Sequence, residues 1–201
     1  MLGKASKVLG VTALVVLMVA LATPSFAQVV ANDAYQVNYY SGSDGSVRVI
    51  NTGQTGSPIS SDHGTICADV YVFDSNQEML NCCGCRVTAN GLLTFDVRTQ
   101  LLFRTLTTVV PAEGVIKIVS ARTAAGNTCD PTNIVTPVES GLRAFGTHPQ
   151  TVPPNIVAGL TETLFQTAPL TNTEQAFLGN ACSFVLYLGS GQGRCQCPTA
   201  G

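Results

Sequence analysis

Residues 67–97, CADVYVFDSNQEMLNCCGCRVTANGLLTFDV, hold four of the eight cysteines and the densest strand signals in the chain. From Ile66 to Phe73 both parities are apolar, apart from Asp69 and the small Cys67 and Ala68. A short run of this kind, rich in Val, Tyr and Phe, predicts a strand buried on both faces. Asp74 to Glu78 is polar and turn-forming. Beyond it, Met79, Asn81, Cys83, Cys85 and Val87 share one parity, and Leu80, Cys82, Gly84, Arg86 and Thr88 the other. Asn90-Gly91 then stands between alternating apolar residues, a hairpin signal, and Leu93, Phe95 and Val97 continue at period two. The local reading is a three-stranded antiparallel meander, with Gly84 marking a bulge.

Working outward, Gln28 to Tyr40 alternates, with Val29, Ala31, Tyr35, Val37 and Tyr39 on one parity. Residues 28–45 therefore read as an N-terminal edge strand. A sharper alternative is an extended arm that self-associates through residues 28–40 by adding to a neighbour's sheet. Ser46 to Asn51 predicts a short strand, Leu101 to Val110 a weaker one, and Val115 to Ala121 an inner one. Gly126 to Pro154 is loop-like, with five prolines and one short strand expected at Leu142 to Thr147. Thr171-Asn-Thr-Glu174 matches a capping box, so a helix is expected over 172–188. Phe177, Ala181, Phe184 and Leu188 form its apolar stripe, flanked by Leu178, Cys182 and Val185, and Gly189 supplies the stop. Residues 46–201 thus form a single β-rich domain. The predicted fold is mainly β: an antiparallel sandwich of roughly seven strands, with an immunoglobulin-like arrangement as one form, and one C-terminal helix. An open sheet packed on the helix is the alternative.

Lys4 and Lys7 precede an apolar run from Val8 to Ala22, and Ser25-Phe-Ala27 offers small residues at a cleavage point. Residues 1–27 read as a secretory signal peptide, too short in its apolar part for a spanning helix. The remaining 28–201 segment carries 8 Lys and Arg against 12 Asp and Glu, since two of the ten basic residues, Lys4 and Lys7, precede it. This balance offers no basic patch for nucleic acid or an anionic membrane. No second long apolar run follows, so no membrane insertion of the processed chain is expected. The expected residence is periplasmic or extracellular.

The eight cysteines are Cys67, Cys82, Cys83, Cys85, Cys129, Cys182, Cys195 and Cys197. An even count in an exported chain favours cystines over thiols or metal. A five-residue loop pairing Phe73 with Met79 would set Cys67 opposite Cys85 and bond them; a one-residue change in register, or a bulge at Gly84, would instead bring Cys67 near Gly84 or Cys82. Cys182 on the helix would then pair with Cys195 or Cys197.

The sequence assigns no catalytic residue, cofactor or metal. Cys82-Cys83-Gly84-Cys85 and Cys195-Gln-Cys197 match zinc spacings poorly, and His63 and His148 lie far from them. A thiol-redox or metal-handling role for Cys82 to Cys85 is the main alternative function, although its Cys-X-X-Cys lies on a strand instead of a helix start. Ser61-Asp62-His63 are sequence neighbours whose side chains point apart, and Gly-X-Ser-X-Gly is missing. Asp69 could serve as an acid, but more commonly such a group is held by loop backbone or arginine. Asp44-Gly45-Ser46 is too short a signal for calcium.

CADVYVFD, CCGCRVTANGLLT, GVIKIVSA and the terminal GSGQGRCQC together make the chain resemble a set of secreted bacterial proteins without an assigned activity. The resemblance covers most of residues 28–201 and implies secretion and one shared domain, with no site residue to carry over. The leading functional expectation is an exported, non-catalytic, cystine-stabilised β domain with a structural or binding role.

Overall fold

The structure is a computed structural model, and it describes residues 33–42, 45–53, 64–152 and 156–198. Among the described residues nine strands form two antiparallel sheets. They are β1 (Tyr35–Ser41), β2 (Ser46–Asn51), β3 (Ile66–Asp74), β4 (Met79–Val87), β5 (Leu92–Asp96), β6 (Glu113–Ala121), β7 (Leu142–Val152), β8 (Ile156–Leu164) and β9 (Gln166–Thr167). One sheet has the order β4-β3-β6-β1-β9 and the other β5-β2-β7-β8. Among the described residues there is a single α-helix, α1 (Asn172–Leu188), which precedes the glycine-rich tail. The expected leader (1–27), residues 28–32 and the Ser61-Asp62-His63 neighbours lie outside the described residues.

The sheets share one apolar interior. Val47, Val49, Phe95, Leu142 and Ala144 of the four-stranded sheet meet Ile66, Val70, Val72, Ile116 and Ile118 of the five-stranded one. A second apolar layer lies on the outer side of the larger sheet, where Tyr71, Phe73, Met79, Cys82 and Val119 meet Leu178, Cys182 and Val185 of α1. This double cover explains the sequence of β3, in which eight of nine residues are buried. Even-numbered residues 66–72 fill the sandwich, and odd-numbered Cys67, Tyr71 and Phe73 fill the helix layer.

Several expectations change. The three-stranded meander is not formed, because β4 pairs with β3 in one sheet while β5 pairs with β2 in the other. The Asn90-Gly91 signal marks a turn between sheets. Gly91 N–H donates to Thr88 O (2.8 Å), and Asn90 takes φ +60° as the third residue of that turn. Alternation in β5 reports one buried face without naming the partner strand. The irregularity in β3–β4 lies between Val72 and Phe73, not at Gly84, which pairs in register with Asp69. Strand β1 lies between β6 and the two-residue β9. Residues 35–41 are thus hydrogen-bonded within their own sheet, with Gln36 and Tyr40 facing the interior. Residues 101–110 contain no strand; a π-helical turn, Val97–Leu101, and bends take that place. Asn81 Nδ2 holds the segment by donating to Leu101 O and Phe103 O.

The strand at Leu142 runs on to Val152, and β8, unassigned from sequence, pairs with it. Pro149 lies beyond the reach of β2, where the strand tolerates a residue without a backbone donor. Consecutive β1 and β2 fall in different sheets, whereas an immunoglobulin sandwich keeps its first two strands together.

Helix α1 has the expected bounds, and Thr171 Oγ1 accepts from Glu174 N–H (3.1 Å). The Glu174 carboxylate does not close the box; it takes Tyr35 OH (3.0 Å) and Lys117 Nζ (2.6 Å). The buried face is Leu178, Gly179, Cys182 and Val185. Phe177, Phe184 and Leu188 are about half or more exposed, so the expected stripe is rotated by about one residue, ~100° of arc. Gly179 explains the choice: a Cβ there would lie 2.8 Å from Thr132 O, so its face is the one that can approach closely. Gly189 is right-handed helical (φ −69°), and its value is closeness to Gln192 O.

Candidate functional site

Strand β4 is the centre of the cystine chemistry. All eight cysteines are bonded, as Cys67–Cys129, Cys82–Cys182, Cys83–Cys195 and Cys85–Cys197. The expected Cys67–Cys85 bond is not formed. Phe73 does oppose Met79, but the irregularity at Val72 shifts the register by one, so Cys67 opposes Arg86 and Ala68 opposes Cys85. A one-residue slip exchanges the two faces. Cys67 therefore faces the helix layer, where Cys129 meets it, and Cys85 faces the sandwich interior. Likewise Cys182 bonds Cys82 beneath the helix, and not Cys195 or Cys197.

Adjacent cysteines on β4 point to opposite sides. Cys82 enters the helix layer, while Cys83 and Cys85 face inward, side by side, with their sulfurs 3.9 Å apart. The glycine-rich tail runs parallel along the β4 edge: Cys82 N–H donates to Gly193 O (3.0 Å) and Gln196 N–H to Gln100 O (3.0 Å). Gly193 (φ +74°) must be glycine here, since a Cβ would meet Val185 Cγ1 at 2.3 Å. The tail covers a sheet edge that would otherwise offer unpaired backbone groups. The sulfurs of Cys83, Cys85 and Cys197 lie within 4.8 Å of one another. The Cys82/Cys85 spacing does not form a redox pair: the two residues face opposite sides and have different partners.

Asp69 is the most perturbed carboxyl group among the described residues. It faces the helix layer beside Gly84 and Cys129, and a Cβ on Gly84 would lie 2.8 Å from Asp69 Oδ1 and 2.9 Å from Cys129 Cβ. Burial, with a smaller contribution from Asp130, pushes its pKa up to about 8. Oδ1 has no hydrogen-bond partner, so at that oxygen the expected backbone or arginine contact is not met. Tyr71 OH donates instead to Pro131 O (2.8 Å). The influence of Asp130 on Asp69 was not legible in sequence, because the Cys67–Cys129 cross-link brings the Asp130 segment toward β3.

His148 is 5 % exposed, stacks on Tyr39 at 4.5 Å between ring centroids, and shares a hydrogen bond between Nε2 and Thr163 Oγ1 (2.9 Å). Burial lowers its pKa, which keeps the ring neutral at pH 7. His148 lies on β7 and not in a loop, and the residues whose ligand atoms cluster around the β4 sulfurs are Cys83, Cys85 and Cys197.

A cleft of about 320 Å³ separates the 132–136 segment from α1. Thr132, Asn133, Thr136, Asn172, Gln175 and Asn180 give it hydroxyl and amide groups and no charge. Such a lining can exchange hydrogen bonds with a neutral polar group but supplies neither a nucleophile of depressed pKa nor an oxyanion clamp.

Comparison of the chain with protein-family models, with curated proteins and with solved structures gives no match. Among the described residues no helix is long and apolar enough to cross a membrane.

Proposed function

We propose that the protein is exported, loses residues 1–27, and serves outside the cytoplasm as a non-catalytic structural or binding domain. The observation that carries this reading is the cystine set. Four cystines, three of them tying β4 to α1 and the tail, belong to an oxidising compartment. The charged start and Ser25-X-Ala27 site support export, as does the resemblance to secreted bacterial proteins. The most reactive side-chain types of the chain are engaged as cross-links, which supports a brace over a redox centre.

The test is N-terminal sequencing and non-reducing peptide mapping of protein from its native compartment. Processed chain beginning at Gln28 with no titratable thiol is the expected result. Cytoplasmic chain retaining Met1, with eight free thiols, would overturn it.

A further inference from the structure

We infer that Cys83, Cys85, Cys195 and Cys197, when reduced, form a tetrathiolate site for a thiophilic d¹⁰ cation of the zinc and cadmium class. Cys-X-Cys is a poor metal spacing on a helix or knuckle. On a strand it sets both sulfurs on one face, as for Cys83 and Cys85 on β4, and the non-strand tail brings Cys195 and Cys197 against that face. Cys83 and Cys85 lie on the inner side of β4, and their Cα atoms stand 5.3 and 5.6 Å from those of Cys195 and Cys197. A tetrahedral site with metal–sulfur bonds of about 2.3 Å places its sulfurs roughly 3.8 Å apart. The Cys83 and Cys85 sulfurs already stand 3.9 Å apart, and Cys197 completes a triangle within 4.8 Å; the Cys195 sulfur, bonded to Cys83, lies outside that triangle and has to turn toward it once its bond opens.

The backbone that carries the four ligands is held without those two cystines. Gly193 and Gln196 pair with Cys82 and Gln100, and Leu106 N–H donates to Leu80 O on the same strand, contacts that do not depend on any cystine. Cys83, Cys85 and Cys195 are buried, which keeps water from the ion, and Cys197 reaches the surface, which supplies an entry path. Cys82 is excluded from the ligand set by its orientation, which separates this site from one built on the Cys82 to Cys85 run.

In the redox step, each cystine takes two electrons and two protons from a dithiol, which becomes a cyclic disulfide. The four resulting thiols release their protons as the divalent ion binds.

The experiment uses the chain from Gln28 to its end, reduced with a phosphine, desalted under inert gas and titrated with Cd(II). The phosphine likewise gives up two electrons per cystine and becomes a phosphine oxide, its oxygen coming from water. The expected result is a sulfur-to-cadmium charge-transfer band that saturates at about one ion per chain, with Cys83, Cys85, Cys195 and Cys197 protected from alkylation. Cys83→Ser/Cys85→Ser should abolish the band, and Cys67→Ser/Cys129→Ser should keep it. Equal loss in both variants, or protection spread over all eight thiols, overturns the inference. A reduced chain that unfolds and stays unfolded by circular dichroism with Cd(II) present also overturns it. None of these outcomes bears on export, which N-terminal sequencing decides separately.

Discussion

The cystine that closes the larger loop should contribute less to stability. Cys85–Cys197 spans 112 residues of sequence and Cys67–Cys129 spans 62. Taken singly, chain entropy would rank the first higher, at about 5 against about 4 kcal/mol. The structure reverses the order. With Cys83–Cys195 in place, Cys85–Cys197 closes only a ring of six residues, three from β4 and three from the tail. Such a ring contributes about 2 kcal/mol in the same account. Cys67–Cys129 has no such neighbour: the shortest path through Cys82–Cys182 still runs through more residues than its own loop. Packing losses should nearly cancel between the two, because each bond joins one buried sulfur to one nearer the surface. Cys85→Ala/Cys197→Ala should therefore lower stability by about 2 kcal/mol and Cys67→Ala/Cys129→Ala by about 4 kcal/mol. The assay is guanidinium unfolding in non-reducing buffer, with the slope monitored for changes in the unfolded state. A cost for Cys85→Ala/Cys197→Ala equal to or above that for Cys67→Ala/Cys129→Ala would refute the nested-ring reasoning.

Three further outcomes are expected. Gln36 joins the two sheets, its Nε2 donating to Leu142 O (2.6 Å) and its Oε1 accepting from Ala144 N–H (3.0 Å); Gln36→Leu should cost about 2–4 kcal/mol in denaturant melts by leaving buried backbone groups unpaired. On α1, Leu178→Ala should cost about 2–5 kcal/mol and Phe184→Ala less than about 0.5 kcal/mol, and the opposite order would place the helix on its other face. Asp69 stays protonated in the folded chain up to about pH 8 but ionises near 3.8 when unfolded. The native state then binds the extra proton between those values, so stability is full below about pH 4 and falls as pH rises, by at most about 1.4 kcal/mol per unit. Asp69→Asn should remove that slope relative to the parent chain in melts taken between pH 4 and 8; an unchanged slope would mean that Asp69 is ionised in the fold.

Local and periodic features are legible in the sequence itself. Thr171 and the spacing after it set α1 to its residue, because a cap and a period of 3.6 are properties of neighbouring positions. The double burial of Ile66 to Phe73, the inner strand at Val115 to Ala121 and the cystine content are legible for the same reason. Only the tertiary structure decided which strands pair. The alternation of Leu93 and Phe95 is satisfied by either sheet, since both face one core, and a turn at Asn90 can return a chain to its own sheet or carry it across. It also decided the cystines: a single extra residue, Leu80, between the Val72–Asn81 and Phe73–Met79 pairs turned Cys67 away from Cys85 and toward Cys129, and period two makes every such slip a change of face. The face of α1 was decided by Gly179 and Cys182, small enough to approach Thr132 and β4, where hydrophobicity alone favoured Phe177 and Phe184. Side-chain pattern specifies that a face is buried; close packing against the opposing surface selects which one.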